Sequence, residues 1–264
     1  MIVFVLLLLS VAFCALKSVR RYETPGGKYS TLYRKALDQP HLLIAGATGS
    51  GKSVFIAGLM SVLMHRLPCD TAGGAFCILI DPKRVELVQY KQLPHCIRYA
   101  SEPDSMLSAL QYAMTLTEQR YKKMQRQGLK KYNGADIWVI IDEFADLMTT
   151  QRKTVQPIIQ RLAQIGRAAR IHLVIATQSP IAVILRTEIK CNFDARVGLR
   201  TRSAQDSRNI IGIAGLENLP RYGQCYYMSP EEEGLYIVPM VDDAEIGRLV
   251  KHWAAQKRGL WRKQ

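Results

Sequence analysis

Disulfide and metal signatures are missing from this 264-residue chain, and acidic residues are scarce. Its six cysteines, at positions 14, 69, 77, 96, 191 and 225, form no C-x-x-C pair and no metal-ligand spacing. They give no footing for a disulfide framework or a metal centre, and several fall in apolar runs as reduced core thiols. The five histidines are equally scattered and read as satisfied or surface side chains. No internal repeat and no low-complexity tract occurs. Asp and Glu number 22 against 36 Lys and Arg, a net charge of +14. That imbalance suits a polyanion, either nucleic acid or anionic lipid, although solubility or a membrane flank gives the same sign. What is present is ordinary for a packed body. At 48% hydrophobic and 22% charged, the length fits one α/β domain with an appendage.

The appendage is the N-terminus. Ile2 to Leu16 is an apolar run interrupted only by Ser10, and Lys17, Arg20 and Arg21 follow it. At ~1.5 Å per residue the run is slightly short for a hydrocarbon core of ~30 Å, which snorkelling flanks can offset. A cleaved signal peptide would carry a basic segment before the run and a small-x-small site after it, and neither is there. Residues 1–21 are therefore expected to form a single transmembrane anchor in the cell membrane. The basic flank places the following body in the cytoplasm. A further possibility is that Met1 begins inside what relatives encode as a longer membrane region. Residues 22–40, with Pro25, Gly26 and Gly27, read as a linker.

From residue 41 to 257 strand-like and helix-like periods alternate. Strands are expected at Leu42 to Ala45, Phe76 to Ile80, Trp138 to Ile141 and Leu173 to Ala176. Helices are expected at Lys52 to His65, Asp104 to Arg126 and Val155 to Ala169. This order predicts an α/β fold with a mainly parallel sheet flanked by helices. An arginine-rich mixed segment covers Glu188 to Met228. Glu232 to Pro239 reads as a last strand and Asp242 to Gln256 as a closing helix, with a basic tail at 258–264.

The first strand runs into Gly46-Ala47-Thr48-Gly49-Ser50-Gly51-Lys52-Ser53 and then into a helix. Strand, glycine-rich loop and helix in that order make a phosphate-binding P-loop. Glycines let backbone N–H groups converge on phosphate oxygens, and the helix N-terminus adds its dipole. Lys52 is placed to neutralise the β- and γ-phosphates of ATP, and the Ser53 hydroxyl to hold Mg²⁺. The apolar run from Trp138 ends in Asp142 and Glu143, at the edge where open α/β sheets bind ligands. Asp142 is expected to hold Mg²⁺ through water and Glu143 to act as general base; the alternative is a pair of acids capping the next helix. The strand ending in Thr177 and Gln178 would bring Gln178 within reach of the γ-phosphate. Asp81-Pro82-Lys83 ends another strand and is a candidate contact for nucleotide or a neighbouring subunit.

These residues resemble the FtsK/SpoIIIE DNA translocases, in the HerA–FtsK branch of P-loop motors. The resemblance runs from about Gln39 to Leu249. It rests on G-A-T-G-S-G-K-S, I-D-P-K at Ile80 to Lys83, E-Q-R-Y at Glu118 to Tyr121 and D-E-F-A-D-L-M at Asp142 to Met148. R-L-A-Q-I-G-R-A-A at Arg161 to Ala169, I-H-L-V-I-A-T-Q at Ile171 to Gln178, I-K-C-N at Ile189 to Asn192 and D-S-R at Asp206 to Arg208 complete it. The resemblance implies a RecA-like core, a homo-oligomer in the form of a hexameric ring, double-stranded DNA as partner, and ATP sites between subunits. It makes Arg167 an arginine finger for the adjacent protomer's ATP. It also places Lys190, Arg200, Arg202 and Arg208 along a DNA path, where contacts to phosphate give grip without reading sequence.

Three departures stand out: Ser179 where the family carries arginine, Ala204 in place of a lysine with Arg202 gained, and Arg170 where glycine is common. The family's C-terminal winged-helix module and multi-span membrane region do not occur in these 264 residues. The compact form therefore resembles translocase-like proteins of conjugative elements, plasmids or phages. The expected function is a membrane-tethered DNA translocase in conjugative transfer or DNA partitioning; the alternatives are a protein-export motor and a viral DNA-packaging ATPase.

Overall fold

The computed structural model describes residues 31–66, 74–178 and 187–255. Helix α1 (Thr31–Asp38) leads into strand β1 (His41–Ala45) and helix α2 (Lys52–Arg66). Next come β2 (Ala75–Ile80), β3 (Cys96–Ala100), α3 (Pro103–Gln127), β4 (Asp136–Ile141), α4 (Phe144–Thr150), α5 (Arg152–Ala169) and β5 (Ile171–Thr177). The chain closes with a short α6 (Thr187–Lys190), β6 (Ala195–Gly198), α7 (Ala204–Ile211), β7 (Gln224–Met228), β8 (Glu233–Ile237) and α8 (Asp243–Ala254). The eight strands form one sheet in the order β3-β2-β4-β5-β1-β6-β7-β8. Pairing is parallel from β3 to β6 and antiparallel across β6-β7-β8.

The strand period of two sorts the apolar side chains onto two faces. Leu42, Ile44, Cys77, Leu79, Trp138 and Ile140 face a layer built by α1, α2 and α8, including Tyr33, Phe55 and Trp253. Leu43, Ile78, Ile80, Ile137, Val139 and Ile141 face α3, α4 and α5, including Met106, Phe144 and Leu162. Burial on both faces is what near-continuous apolar strands demand. Helix α2 is buried along nearly its whole length, from Phe55 to Met64, because α1 and α8 cover the side away from the sheet.

The expected linker over 22–40 is corrected at its end. Thr31–Asp38 is a helix that buries Leu32, Tyr33, Ala36 and Leu37, with Tyr33 edge-on to Phe55 at 5.0 Å between ring centroids. Its stripe is two turns long and becomes legible only beside the apolar helix it covers. Strand β3 and helix α4 also emerge where no element was expected. The basic tail, Ser179 and the expected membrane anchor all lie outside the described residues. Among the described residues no helix is long and apolar enough to cross a membrane. None of them forms a disulfide: Cys77, Cys96 and Cys225 are buried and Cys191 is exposed.

Candidate active site

Parallel pairing aligns the carboxyl ends of β4, β5 and β1, with β5 between the other two. Asp142 and Glu143, Thr177 and Gln178, and Gly46 therefore emerge side by side. The sequence-predicted P-loop occupies the turn from β1 into α2. Its Gly49 has φ +72° and Gly51 φ +95°, conformations that favour residues without a Cβ. Gly46 is fixed by close approach: a methyl group there would lie 2.6 Å from both Leu199 Cβ and Ser50 Oγ. The loop is tied to β6 by the Ala47 amide, which donates to the Arg200 carbonyl at 2.8 Å.

Most of the predicted polar groups have a partner across the site. Lys52, buried, donates to the Asp142 carboxylate at 2.8 Å and to its backbone carbonyl at 2.7 Å. Ser53 donates to Glu86 Oε1 at 2.6 Å. Thr48 Oγ1 donates to Gln178 Oε1 at 2.7 Å, which places the β5 terminus directly against the loop. Glu143 is buried and held from three sides. Thr177 Oγ1 donates to Oε1 at 2.9 Å, the Gln178 amide to the same oxygen at 3.1 Å, and Lys83 Nζ to Oε2 at 3.1 Å. Asp81 turns inward, accepting from the Leu87 amide at 2.9 Å.

Burial raises the pKa of Asp146, one turn into α4, and the neighbouring Glu143 charge raises it further. Carboxylates thus crowd this edge, balanced by Lys52 and Lys83. Hard oxygen donors in such a field suit Mg²⁺, which keeps several waters and needs only one or two protein oxygens beside phosphate. Ser53 and Asp142 are the residues placed to provide them. For ATP, the buried Ser50 hydroxyl has no hydrogen-bond partner among the described residues, an orphaned polar group in the loop that phosphate oxygens would satisfy.

Arg167 stands elsewhere. It is exposed in the last turn of α5, near His41 at the amino end of β1, and so lies at the opposite edge of the sheet from the P-loop of its own chain. The candidate DNA contacts also separate. Arg200 and Arg202 are exposed in the turn after β6, and Arg208 is exposed on α7. Lys190 points inward, donating to the Asn209 carbonyl at 3.1 Å, and burial followed by the charge of Arg196 lowers its pKa. Sequence reasoning missed Thr177, Glu86 and Arg221. Thr177 had a signal, its position beside Gln178. Glu86 and Arg221 reach the site through loops whose course no periodicity discloses.

This fold and loop define a P-loop ATPase. The chain belongs to the FtsK/SpoIIIE family, whose sequence profile matches residues 24–137 and 132–182. It is 38% identical over 236 residues to the DNA translocase FtsK of Treponema pallidum, covering 81% of this chain and 28% of that protein. It is 34% identical over 252 residues to the DNA translocase FtsK of Oceanobacillus iheyensis, covering 85% of this chain and 31% of that protein. The chain thus spans about a third or less of the curated relatives it matches. Among solved structures it superposes on the pCW3 conjugation coupling protein TcpA with ATPγS at a TM-score of 0.69 and 25% identity, over 81% of this chain and 64% of that one. The cytoplasmic domain of the Type VII secretion ATPase EccC from Thermomonospora curvata gives a TM-score of 0.70 at 21% identity, over 82% of this chain and 28% of that one, a likeness of fold.

Proposed function

We propose that this chain is the motor domain of an ATP-driven double-stranded DNA translocase that works as a hexameric ring held at the cell membrane by residues 1–21, with the motor in the cytoplasm. One observation carries the reading: the phosphate loop, the acid pair and Gln178 meet at one sheet edge, while Arg167 sits at the other. A site divided this way suits a ring, in which each subunit's Arg167 serves its neighbour's ATP.

The chemistry follows from the contacts. Lys52, now on Asp142, is placed to serve the β- and γ-phosphates, and the Ser53 hydroxyl, now on Glu86, would hold Mg²⁺ together with Asp142. Mg²⁺ held there would supply charge neutralisation for the phosphate oxygens. Glu143, aimed by Thr177 and the Gln178 amide, accepts a proton from the water that attacks the γ-phosphorus as the bond to the leaving ADP oxygen breaks. Gln178 reports the result to the P-loop through Thr48. Exposed Arg200, Arg202 and Arg208 provide phosphate-backbone contacts for duplex DNA, and the net charge of +14 supports the same partner. Conjugative transfer or DNA partitioning is the process in which we place this motor.

ATP turnover measured with and without duplex DNA tests this reading. Stimulation should be strong and should weaken as salt rises from about 50 to 200 mM. Competent basal turnover that no duplex stimulates would instead point to protein export.

A further inference from the structure

The segment between α7 and β7 brings an arginine to the P-loop. Leu216 and Leu219 are buried with Ala45, the last residue of β1, and the Thr201 amide donates to the Leu216 carbonyl at 3.3 Å. That apolar anchor fixes the approach of residues 220–223 to the loop. At its end, Arg221 lays its guanidinium on Gly49, where a methyl group would sit 3.2 Å from Nη2 and 3.6 Å from Nε. The guanidinium also lies 5.3 Å from the centre of the exposed Tyr222 ring.

Its electrostatic situation differs from that of the two lysines at this edge. Lys52 is neutralised by Asp142 and Lys83 by Glu143. Arg221 has neither a carboxylate nor a hydrogen-bond acceptor among the described residues, although it is exposed and adjacent to the loop. Gly49 follows Thr48, whose hydroxyl touches Gln178, so the guanidinium, arriving from the β6–β7 side, meets the loop one residue from its contact with the end of β5. This is where the γ-phosphate is expected to lie. A planar fork of N–H donors matches phosphate oxygens, and charged hydrogen bonds of this kind shift affinity by roughly ten- to a hundredfold.

We propose that Arg221 is a nucleotide-phosphate contact supplied by the same chain as the P-loop, and that it favours the triphosphate over the diphosphate. The proposal rests on the chain's ATPase activity. The loop N–H groups serve the phosphates shared by ATP and ADP, and Lys52 spans the β-phosphate and the γ-phosphate. The exposed guanidinium on Gly49 adds a second charge toward the phosphate that only the triphosphate carries.

The test is equilibrium binding of ATPγS and ADP, with Mg²⁺, to the full chain carrying Arg221, Arg221→Ala or Arg221→Lys. Arg221→Ala should weaken ATPγS about tenfold or more and ADP by less than about threefold, with Arg221→Lys between. An unchanged urea midpoint would show the fold intact. Equal loss for both nucleotides would make the residue a brace for the loop and overturn the proposal. Unchanged affinities with a lower duplex-stimulated turnover would assign the guanidinium to DNA, and also overturn it. If the unsubstituted chain bound neither nucleotide, the failure would lie with the ATPase reading itself.

Discussion

Thr177 shows how a single hydroxyl can set the chemistry of the proposed site. Its Oγ1 holds the Glu143 carboxylate at 2.9 Å, from the strand that separates the P-loop strand from β4. Thr177→Val keeps the shape and removes the donor. Turnover should fall roughly ten- to a hundredfold through misaimed base, while ATP affinity stays within about threefold. Thr177→Ser should restore most of the rate, an outcome that a packing role would not produce. Steady-state kcat measured beside nucleotide binding separates these cases. That these residues would meet at one place was legible from sequence, because loop, lysine, hydroxyl and acid pair follow a fixed order along the chain. The resting partners were not. That Lys52 meets Asp142, or Ser53 meets Glu86, depends on sheet order and loop course, and neither is written in any local pattern.

At the scale of elements, the amino edge of the sheet carries its own electrostatic device. His41 opens β1, and its Nδ1 accepts the Leu173 amide of β5 at 3.0 Å, a contact that requires the neutral ring. Burial lowers its pKa to about 3, with the charges of His172 and Arg167 adding to the effect. Nearby, Asp136 accepts from Arg170 and His172. Burial alone would raise the Asp136 pKa, and those hydrogen bonds outweigh it and hold the carboxyl below its usual range. Both folded-state values are depressed, so both contributions are lost as pH falls. Below the unfolded histidine pKa of ~6.5 the unfolded chain takes up a proton that folded His41 refuses. Stability should therefore decline as pH drops from ~6.5 toward 3, with Asp136 adding to the loss only below ~4. Urea midpoints at about pH 7.5 and pH 5 measure the histidine part, and His41→Gln should flatten it. Equal midpoints in the unsubstituted protein would contradict this account.

The same edge explains which elements sequence alone could read. Apolar strands buried on both faces and the amphipathic α5 declared themselves. Helix α1 did not, because Pro25, Gly26 and Gly27 dominate its neighbourhood and its burial depends on α2. Strand β3 was obscured too, since it lies at the sheet edge with Arg98 half-exposed. Arg170, which departs from the family's common glycine, caps α5 at φ +56° and pairs with Asp136, so its side chain gives a return for the left-handed backbone.

For the molecule as a whole, the proposal turns on two edges of one sheet belonging to two different active sites. Arg167→Ala should abolish turnover in homogeneous assemblies, at least about a thousandfold by the measure of other arginine fingers. Mixing it with subunits that carry Arg167 but have Lys52→Ala should recover activity, since one partner then supplies the loop and the other the finger. Absence of recovery would remove Arg167 from the site. The most direct test of the central claim is ATP-dependent displacement of a third strand from a long DNA duplex. The chain with Glu143 intact should strip the strand at a rate that falls as salt rises, and Glu143→Gln should bind ATP yet strip nothing. Undiminished ATP hydrolysis on that duplex without any displacement would contradict the account.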